Sequence, residues 1–197
     1  MRPDKEVFYK IAYSDIEKIN YKNVLDLCCG TLNSIKHINK SERYIGVDAV
    51  KEVIEIARKR YPNSETYISK IEDFNINEQF DLIVYFEAIG INRDPLKEGI
   101  EYTPDYIQKI FDKIISFQKP GSYLAINLGP QILNDHENFI KKIINTEYKI
   151  LNFYHYGMWN QRYPYYIAKI ISFFVYRFPL LTKTKKNKYF YYFLKKN

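Results

Sequence analysis

Glycine, cysteine and histidine are all scarce in this sequence, and each scarcity excludes a class of site. Only 7 of the 197 residues are glycine, and none forms the G-x-G-x-x-G pattern that is typical of dinucleotide-binding turns. The 2 cysteines are the neighbours Cys28 and Cys29, which cannot join distant segments, so we expect a reducing compartment. The 3 histidines are scattered without the spacing of metal ligands, and we therefore predict no metal site.

Long apolar runs are also missing. The most apolar stretch, residues 164–178, is interrupted by Lys169 and Arg177, which leaves it too short to cross a bilayer. At the start of the chain, charged residues break any apolar run, so we expect no signal peptide and a cytoplasmic location.

Charge is distributed unevenly along the chain. Residues 1–140 contain 18 Lys/Arg and 22 Asp/Glu, whereas residues 141–197 contain 12 Lys/Arg and one acid, Glu147. The net charge of +7 therefore comes from the C-terminal part. Clustered cations of this kind favour an anionic partner, either a nucleic acid or an acidic lipid surface.

The length and the 46% of hydrophobic residues predict one globular domain over residues 1–197. We divide it into an N-terminal helix at 1–20, a core at 22–154, an insertion at 154–188 and a last strand at 189–196.

Residues 22–49 form the most informative stretch. The apolar run Val24–Leu27 predicts a buried strand, and Cys28–Thr31 predicts a tight turn that leads into a short helical stretch. A second strand follows and ends on Asp48. Such a strand–turn–helix–strand unit is typical of nucleoside binding. Gly30 has no side chain, so a ligand can approach the backbone there. Asp48 is placed to accept hydrogen bonds from the ribose hydroxyls. A unit of the same form that binds no nucleotide is the alternative.

The same stretch resembles the first motif of the class I S-adenosylmethionine (SAM) dependent methyltransferases. Their pattern reads V-L-D-L-G-C-G-T-G, and this chain reads V-L-D-L-C-C-G-T-L over residues 24–32. The central glycine, Gly30, is kept, while Cys28 and Leu32 replace the other two. The loop at Leu32 approaches the methionine part of the cofactor in that family, so we expect this side chain to crowd that end of the pocket.

The resemblance implies a fold and a set of site residues. The fold is α/β: a Rossmann-like, seven-stranded, mostly parallel sheet flanked by helices, with the insertion between strands 6 and 7. Residues 70–74 resemble the loop at the adenine edge, where Glu72 or Asp73 would replace the usual acid. The implied cofactor-binding residues are Asp26, Cys28, Gly30, Asp48, Ala49, Ile71, Glu72 and Phe86.

The other elements follow from periodicity. We expect helices over residues 4–20, 50–61, 103–118 and 135–144, the third capped by Thr103 and ended by Lys119-Pro120-Gly121. We place Val50 on the buried face of the second helix. Strands are expected at 66–69, 80–87, 122–128, 148–154 and 189–194.

For a proton acceptor the sequence offers only two weak candidates, Glu87 after the fourth strand and His155 after the sixth. Methyl transfer from a sulfonium relies mainly on positioning and on exclusion of water, so the family has no universal catalytic residue.

The resemblance therefore predicts a SAM-dependent methyltransferase that acts on a small-molecule, sugar-linked or lipid-linked acceptor. Two alternatives stay open: an RNA methyltransferase, which the basic C-terminal part favours, and a non-catalytic scaffold. Nucleic acid is the less expected partner, because no RNA-binding module is appended. Residues 164–188 combine an apolar helical pattern with a lysine-rich run, and they predict a lid over the substrate with a peripheral membrane or homodimer contact.

Overall fold

The structure is a computed structural model that describes residues 3–89, 102–156 and 189–197. Its helices are α1 (Pro3–Glu17), α2 (Lys51–Arg60), α3 (Pro104–Ser116) and α4 (Pro130–Glu147), with a single 3₁₀ turn at Ile35–His37. The strands are β1 (Asn23–Leu27), β2 (Arg43–Asp48), β3 (Glu65–Ile68), β4 (Phe80–Ile89), β5 (Gln118–Leu128), β6 (Tyr148–Tyr156) and β7 (Tyr189–Lys196).

The described strands form one seven-stranded sheet in the order β3-β2-β1-β4-β5-β7-β6. All neighbouring pairs are parallel except those that involve β7, which runs antiparallel to both β5 and β6. The carboxyl ends of β1, β2, β4, β5 and β6 therefore share one edge of the sheet. This arrangement confirms the predicted fold class, and that shared edge is where open α/β sheets bind their ligands.

Side chains that alternate along the strands build two cores, one on each face of the sheet. On one face Leu25, Ile45 and Ile83 are fully buried beneath α3 and α4. On the other face Val24, Leu82 and Val84 are fully buried beneath α1 and α2. The central strands β1, β2 and β4 are consequently buried along most of their length, as expected for strands that are covered on both sides, whereas β3 at the edge is partly exposed.

Helix α3 forms as its sequence predicts. The hydroxyl oxygen of Thr103 accepts a hydrogen bond from the Tyr106 N–H at 3.2 Å, and Pro104 occupies the first helical turn. The stripe Ile107, Ile110, Phe111 and Ile114 is buried against the sheet.

Two element boundaries predicted above are wrong. Helix α3 ends at Ser116, and Lys119-Pro120-Gly121 lies inside β5. The pairing jumps there from Phe80↔Gln118 to Leu82↔Tyr123, so these residues form a bulge, where proline removes no ladder hydrogen bond. Helix α4 begins at Pro130 rather than at residue 135, with a kink at His136.

Two further expectations are wrong, one about the burial of Val50 and one about the helical stretch that follows the first turn. Val50 precedes α2 and is 36% exposed, so it does not belong to the buried face. The helical stretch expected after the first turn is only the 3₁₀ turn Ile35–His37.

Both segments outside the described residues leave from the same edge of the sheet. Residues 90–101 follow the carboxyl end of β4, and residues 157–188 connect the paired ends Tyr156 and Tyr189 of β6 and β7. The lid and the membrane or dimer contact that we predicted for 164–188 lie outside the described residues. In the described part of the chain, no helix combines the length and the apolarity needed to cross a membrane.

Candidate functional site

The loop that joins β1 to the 3₁₀ turn has a left-handed backbone at every second residue. The φ angles of Cys28, Gly30 and Leu32 are 57°, 56° and 58°. Only glycine adopts this conformation without strain, and a residue with a Cβ atom loses roughly 1–2 kcal/mol there. The chain thus retains the backbone shape of a three-glycine turn with a single glycine. We call residues 28–32 the cofactor loop.

Gly30 lies at the open side of this loop. A Cβ atom built on it would meet no heavy atom within 4 Å, so the space above its backbone is free. A ligand can therefore lie directly against the main chain at this residue.

Leu32 does not line that space, which corrects the crowding expected from the sequence. Its side chain is fully buried in the core beneath α1, and its Cδ2 atom lies 2.5 Å from the point where a Cβ atom on Gly46 would be. The left-handed backbone turns the leucine inward, and Gly46 of β2 provides the room for it.

Asp48 closes the cofactor loop from the end of β2. Its Oδ2 atom accepts a hydrogen bond from the Gly30 N–H at 3.0 Å, and its Oδ1 atom accepts one from the Val50 N–H at 2.9 Å. The residue is only 7% exposed. Each carboxylate oxygen can accept a second hydrogen bond, so both remain able to receive ribose hydroxyls. Ala49, the next residue, is exposed beside it.

Asp26 lies inside the fold, beneath the cofactor loop. It is 2% exposed, and its carboxyl group accepts a hydrogen bond from the Tyr44 hydroxyl. Burial raises the pKa of Asp26 to about 7, although the neighbouring hydroxyls of Tyr44 and Ser34 favour the charged form. The carboxyl group is therefore buried below the loop and bonded to β2 through Tyr44.

The expected adenine side of the site lies after β3. Ile71 is buried, and the half-buried Glu72 accepts a hydrogen bond from the Tyr106 hydroxyl of α3 at 2.8 Å. Burial and this carboxylate raise the pKa of Tyr106 above its ordinary value. Cys28 packs into the same core and is close enough to Tyr106 to interact electrostatically. The structure thus brings Cys28, Ile71 and Glu72 to one side of the cofactor loop.

The carboxyl end of β4 contributes Phe86 and Glu87. Phe86 is 6% exposed and packs edge-on against Phe8 of α1, with ring centroids 5.1 Å apart. Glu87 has a φ of 60°, and its N–H donates to the side-chain oxygen of the buried Asn127 at 2.7 Å. A non-glycine residue held in this conformation at a strand end is typical of functional sites.

His155 stands apart from this group. It lies on β6, opposite Phe190 of β7, and β4, β5 and β7 separate its strand from β1. Its backbone is at the ligand-binding edge, and its side chain lies outside the described residues.

Sequence reasoning missed the hydroxyl groups around Asp26. Tyr44, Ser34 and Tyr13 come from β2, the turn after the cofactor loop and α1, and all three are buried. The available signal was Asp26 itself, because an acid within an apolar strand that is covered on both faces requires hydrogen-bond donors.

Taken together, the carboxyl ends of β1, β2 and β4 provide an open stretch of backbone at Gly30 and a carboxylate able to accept hydrogen bonds from vicinal hydroxyls, with the apolar side chain of Ile71 beside the loop. That donor set fits a nucleoside with an extended charged tail. Among the described residues, no group of three or more His, Cys, Asp or Glu side chains is placed to hold a metal ion.

Comparison with known proteins agrees with this geometry. The profile of a family described as "Methyltransferase domain" matches residues 20–192. A curated relative, a candidate methyltransferase named 235L from Invertebrate iridescent virus 6, is 26% identical over 141 residues. That alignment covers 69% of this chain and 48% of the relative, so the chain spans about half of the viral protein's length.

Several solved structures share the fold. The N-methyltransferase NodS from Bradyrhizobium japonicum, solved with S-adenosylhomocysteine (SAH), aligns over 98% of this chain and 86% of its own, with a TM-score of 0.64 at 13% identity. A SAM-dependent methyltransferase from Clostridium acetobutylicum aligns over 99% and 92%, with a TM-score of 0.64 at 15% identity. The plantazolicin methyltransferase BpumL, bound to a substrate analogue and SAH, aligns over 100% and 84%, with a TM-score of 0.57 at 14% identity.

Proposed function

Because the chain belongs to the SAM-dependent methyltransferase family, we propose that it binds SAM at the carboxyl ends of β1, β2 and β4 and methylates a small-molecule acceptor. The observation that carries this proposal is the cofactor loop, which keeps the left-handed backbone at Cys28, Gly30 and Leu32 although two of its glycines are replaced.

The residues present fit the cofactor. The open face of Gly30 admits the methionine part against the backbone, and Asp48 has acceptor capacity left for the ribose hydroxyls. Ile71 and Glu72 would border the adenine, with Ala49 and Cys28 on either side and Asp26 supporting the loop from beneath. Phe86 would close the site on the side of α1.

When bound, SAM would supply a methyl group on a sulfonium: an acceptor lone pair would form a bond to the methyl carbon as the carbon–sulfur bond breaks, SAH would be the leaving group, and the acceptor proton would pass to a base or to solvent. The protein holds the two partners in line and excludes water, which contributes most of the rate enhancement in such a displacement. Glu87 lies at the end of β4, at the edge where the acceptor would approach, and we assign it to acceptor binding. His155 remains a second candidate for that role.

Two segments outside the described residues are joined to the sheet at this edge. Residues 90–101 begin at the carboxyl end of β4, and residues 157–188 both begin and end at the same edge of the sheet. A small-molecule acceptor would approach at the same edge. The methyltransferase BpumL, which has the same fold, was solved with a desmethylplantazolicin analogue.

The site can be tested with two glycines that share a left-handed backbone. Gly30 has a φ of 56° and no neighbour for a Cβ atom within 4 Å, while Gly121 has a φ of 79° and only the Lys195 Cε atom at 3.9 Å. An alanine at either position should lower stability by a similar amount, roughly 1–2 kcal/mol. Only Gly30→Ala places a methyl group in the open space at the cofactor loop.

We expect wild type and Gly121→Ala to bind SAH equally in calorimetry, and Gly30→Ala to bind at least about tenfold more weakly, or roughly 1.4 kcal/mol. Absence of SAH binding by the wild type at millimolar ligand would end the proposal. Equal binding by all three proteins would mean that the cofactor does not bind against Gly30.

A further inference from the structure

The turn that follows β3 distinguishes the two neighbouring acids that the sequence offers for the adenine edge. The Phe74 N–H donates to the Lys70 carbonyl at 3.0 Å and closes this turn. Ile71 and Phe74 are 7% and 4% exposed, so they anchor the turn in the core. Between them, Glu72 is half-buried and Asp73 is exposed. Only the first of the two acids is therefore held against the rest of the fold.

The same turn begins beside Asp48. Ile68, the last residue of β3, pairs with Asp48 of β2, and the Ser69 N–H donates to the Asp48 carbonyl at 3.0 Å. Asp48 is the carboxylate that we assign to the ribose hydroxyls. A base bonded to a ribose at Asp48 can therefore reach the turn after β3.

The side chain that holds Glu72 comes from α3. The Tyr106 hydroxyl donates to the Glu72 Oε1 atom at 2.8 Å. Tyr106 is itself held, because its N–H donates to the Thr103 hydroxyl oxygen at 3.2 Å and its ring meets the Tyr102 ring edge-on. A phenol has one proton to donate, and this bond uses it. The bond therefore fixes the direction of the Glu72 carboxylate.

The second oxygen of this carboxylate can accept a ligand. No described residue donates a hydrogen bond to the Glu72 Oε2 atom, and no described cation pairs with this acid. The 6-amino group of adenine is a hydrogen-bond donor, whereas a carbonyl at the same position of a purine is an acceptor. A carboxylate held in one direction thus fits the amino group and disfavours the carbonyl.

A second tyrosine–glutamate pair on β3 provides a contrast. The Tyr67 hydroxyl donates to the Glu65 Oε1 atom at 2.7 Å, which closely resembles the bond from Tyr106 to Glu72. Arg43, however, donates to both carboxylate oxygens of Glu65 at 3.0 Å. The two pairs have the same tyrosine chemistry, and they differ in whether one carboxylate oxygen is left without a protein donor.

Other contacts hold α3 against the turn, so its attachment does not depend on the tyrosine hydroxyl. The Lys113 Nζ atom donates to the Asn75 Oδ1 atom at 2.6 Å. The rings of Phe74 and Phe117 lie 5.6 Å apart, and Phe117 directly follows α3. Removal of the hydroxyl should therefore change the orientation of the carboxylate without releasing the turn.

We propose that Tyr106 is a positioning residue for base recognition: its hydroxyl holds the Glu72 carboxylate in the direction in which Oε2 accepts the 6-amino group of adenine. The inference rests on the proposed function, because it assumes that a ribose binds at Asp48. It assigns Tyr106 no contact with the cofactor. Helix α3 thereby contributes to the choice of the base through a residue that does not touch it.

The test compares SAH with its 6-deamino analogue, in which hydrogen replaces the amino group. In calorimetry the wild type should bind the analogue at least about tenfold more weakly than SAH, because the half-buried carboxylate then lacks its partner. Tyr106→Phe should bind SAH about three- to tenfold more weakly than the wild type and should bind the analogue nearly unchanged. Glu72→Ala should bind the two ligands within about twofold of each other.

Two matched controls separate positioning from general loosening. Tyr67→Phe removes the same type of tyrosine–glutamate bond from β3, and Asp73→Ala removes the neighbouring acid. Both variants should keep the wild-type ratio of the two Kd values. A variant that only loosens the site should weaken both ligands equally, which leaves the ratio unchanged, whereas loss of the oriented carboxylate lowers it.

The outcomes for the proposed function and for this inference are distinct. If the wild type does not bind SAH, the proposed function fails. If it binds SAH and the analogue equally, the function stands and the role of Glu72 is overturned. If Tyr106→Phe keeps the wild-type ratio, or if Tyr67→Phe lowers it as much, the positioning role of Tyr106 is overturned.

A second variant covers the case in which Tyr106→Phe does not fold. Glu72→Asp keeps the negative charge, but its side chain is one methylene group shorter and withdraws the carboxylate from the Tyr106 hydroxyl. We expect the ratio of the two Kd values to fall in this variant as well. A ratio equal to that of the wild type would overturn the inference.

Discussion

Two aspartates at opposite edges of the parallel sheet have almost the same local chemistry. At the carboxyl edge, Asp48 accepts hydrogen bonds from the Gly30 and Val50 N–H groups. At the amino edge, Asp81 accepts hydrogen bonds from the Lys22 and Asn23 N–H groups at 3.0 and 2.9 Å. Each carboxylate therefore binds two backbone donors and ties a chain segment to a strand end.

The difference lies in what else each acid meets. Asp81 also forms an ion pair with Lys119. Asp48 has no ion pair with any of the described residues, and it adjoins the open backbone of Gly30. The strain is also on one side, because the described non-glycine residues with positive φ lie near carboxyl ends of strands: Cys28 and Leu32 follow β1, and Glu87 lies in the last three residues of β4. At the amino edge the polar contacts of Asp81 stabilise the fold. At the carboxyl edge the backbone is strained, and the carboxylate of Asp48 can accept further hydrogen bonds.

The largest expected effect concerns the pH dependence of stability at the carboxyl edge. The pKa of Asp26 is raised by burial from 3.8 to about 7, so the folded state binds a proton more tightly than the unfolded state. The stability that this raised pKa contributes to the folded state is fully present below pH 4. It is lost as the pH rises to 7, and the loss is about 4 kcal/mol at most. Urea denaturation should show that the free energy of unfolding of the wild type, relative to that of Asp26→Asn, decreases as the pH rises from 4 to 7.

Asp81 provides the matched control with the opposite sign. Burial raises its pKa, but Lys119 and the two backbone donors outweigh burial and hold the pKa below its usual value. The stability that Asp81 contributes is therefore present above pH 4 and is lost only at lower pH. The difference between wild type and Asp81→Asn should be flat from pH 4 to 7. A flat difference for Asp26→Asn as well would contradict the assignment of a buried acid beneath the loop.

The second effect tests the strain at Leu32. This side chain is fully buried, so Leu32→Ala should lower the unfolding free energy by about 2–5 kcal/mol. Leu32→Gly should lose about 1 kcal/mol less than the alanine variant, because glycine relieves the left-handed backbone.

Leu27 is the control for that comparison. It is also fully buried, but it lies in the regular strand β1, where glycine should be worse than alanine by roughly 0.5–1 kcal/mol. Chemical denaturation of the four variants should show opposite orders at the two sites. If glycine is the worse substitution at both, the cofactor loop does not have the left-handed form.

The sequence predicted the seven strands and a mostly parallel sheet, because the buried strands are apolar runs and the first unit resembles a known family; the strand order comes from the structure. It also predicted Asp48 and Gly30 as neighbours, since the ends of adjacent parallel strands must meet. It did not predict the position of Leu32, because a left-handed residue sends its side chain to the opposite side from a regular one. Lys119-Pro120-Gly121 was misinterpreted for a related reason: the residues that end helices also form bulges in strands.

The contacts around Asp26 were beyond sequence reasoning for a different cause. The hydroxyls beside its carboxyl group, those of Ser34 and Tyr44, lie 8 and 18 residues away along the chain, with no periodic pattern in common. Only the folded arrangement of these segments brings these hydroxyls to one carboxyl group.

The smallest expected effect returns to the two aspartates and separates their functions. Asp48→Ala and Asp81→Ala each leave two backbone N–H groups without their acceptor, so each should lower stability by a comparable amount, about 1–3 kcal/mol. Only Asp48→Ala should weaken SAH binding, by about ten- to a hundredfold or roughly 1.5–3 kcal/mol, because it also removes the acceptor for the ribose hydroxyls. Calorimetry at a temperature where both variants are folded distinguishes the two losses. Equal losses of SAH affinity in both variants would mean that Asp48 acts, like Asp81, only as a structural acceptor, and the ribose would then have to be bound elsewhere along the carboxyl edge.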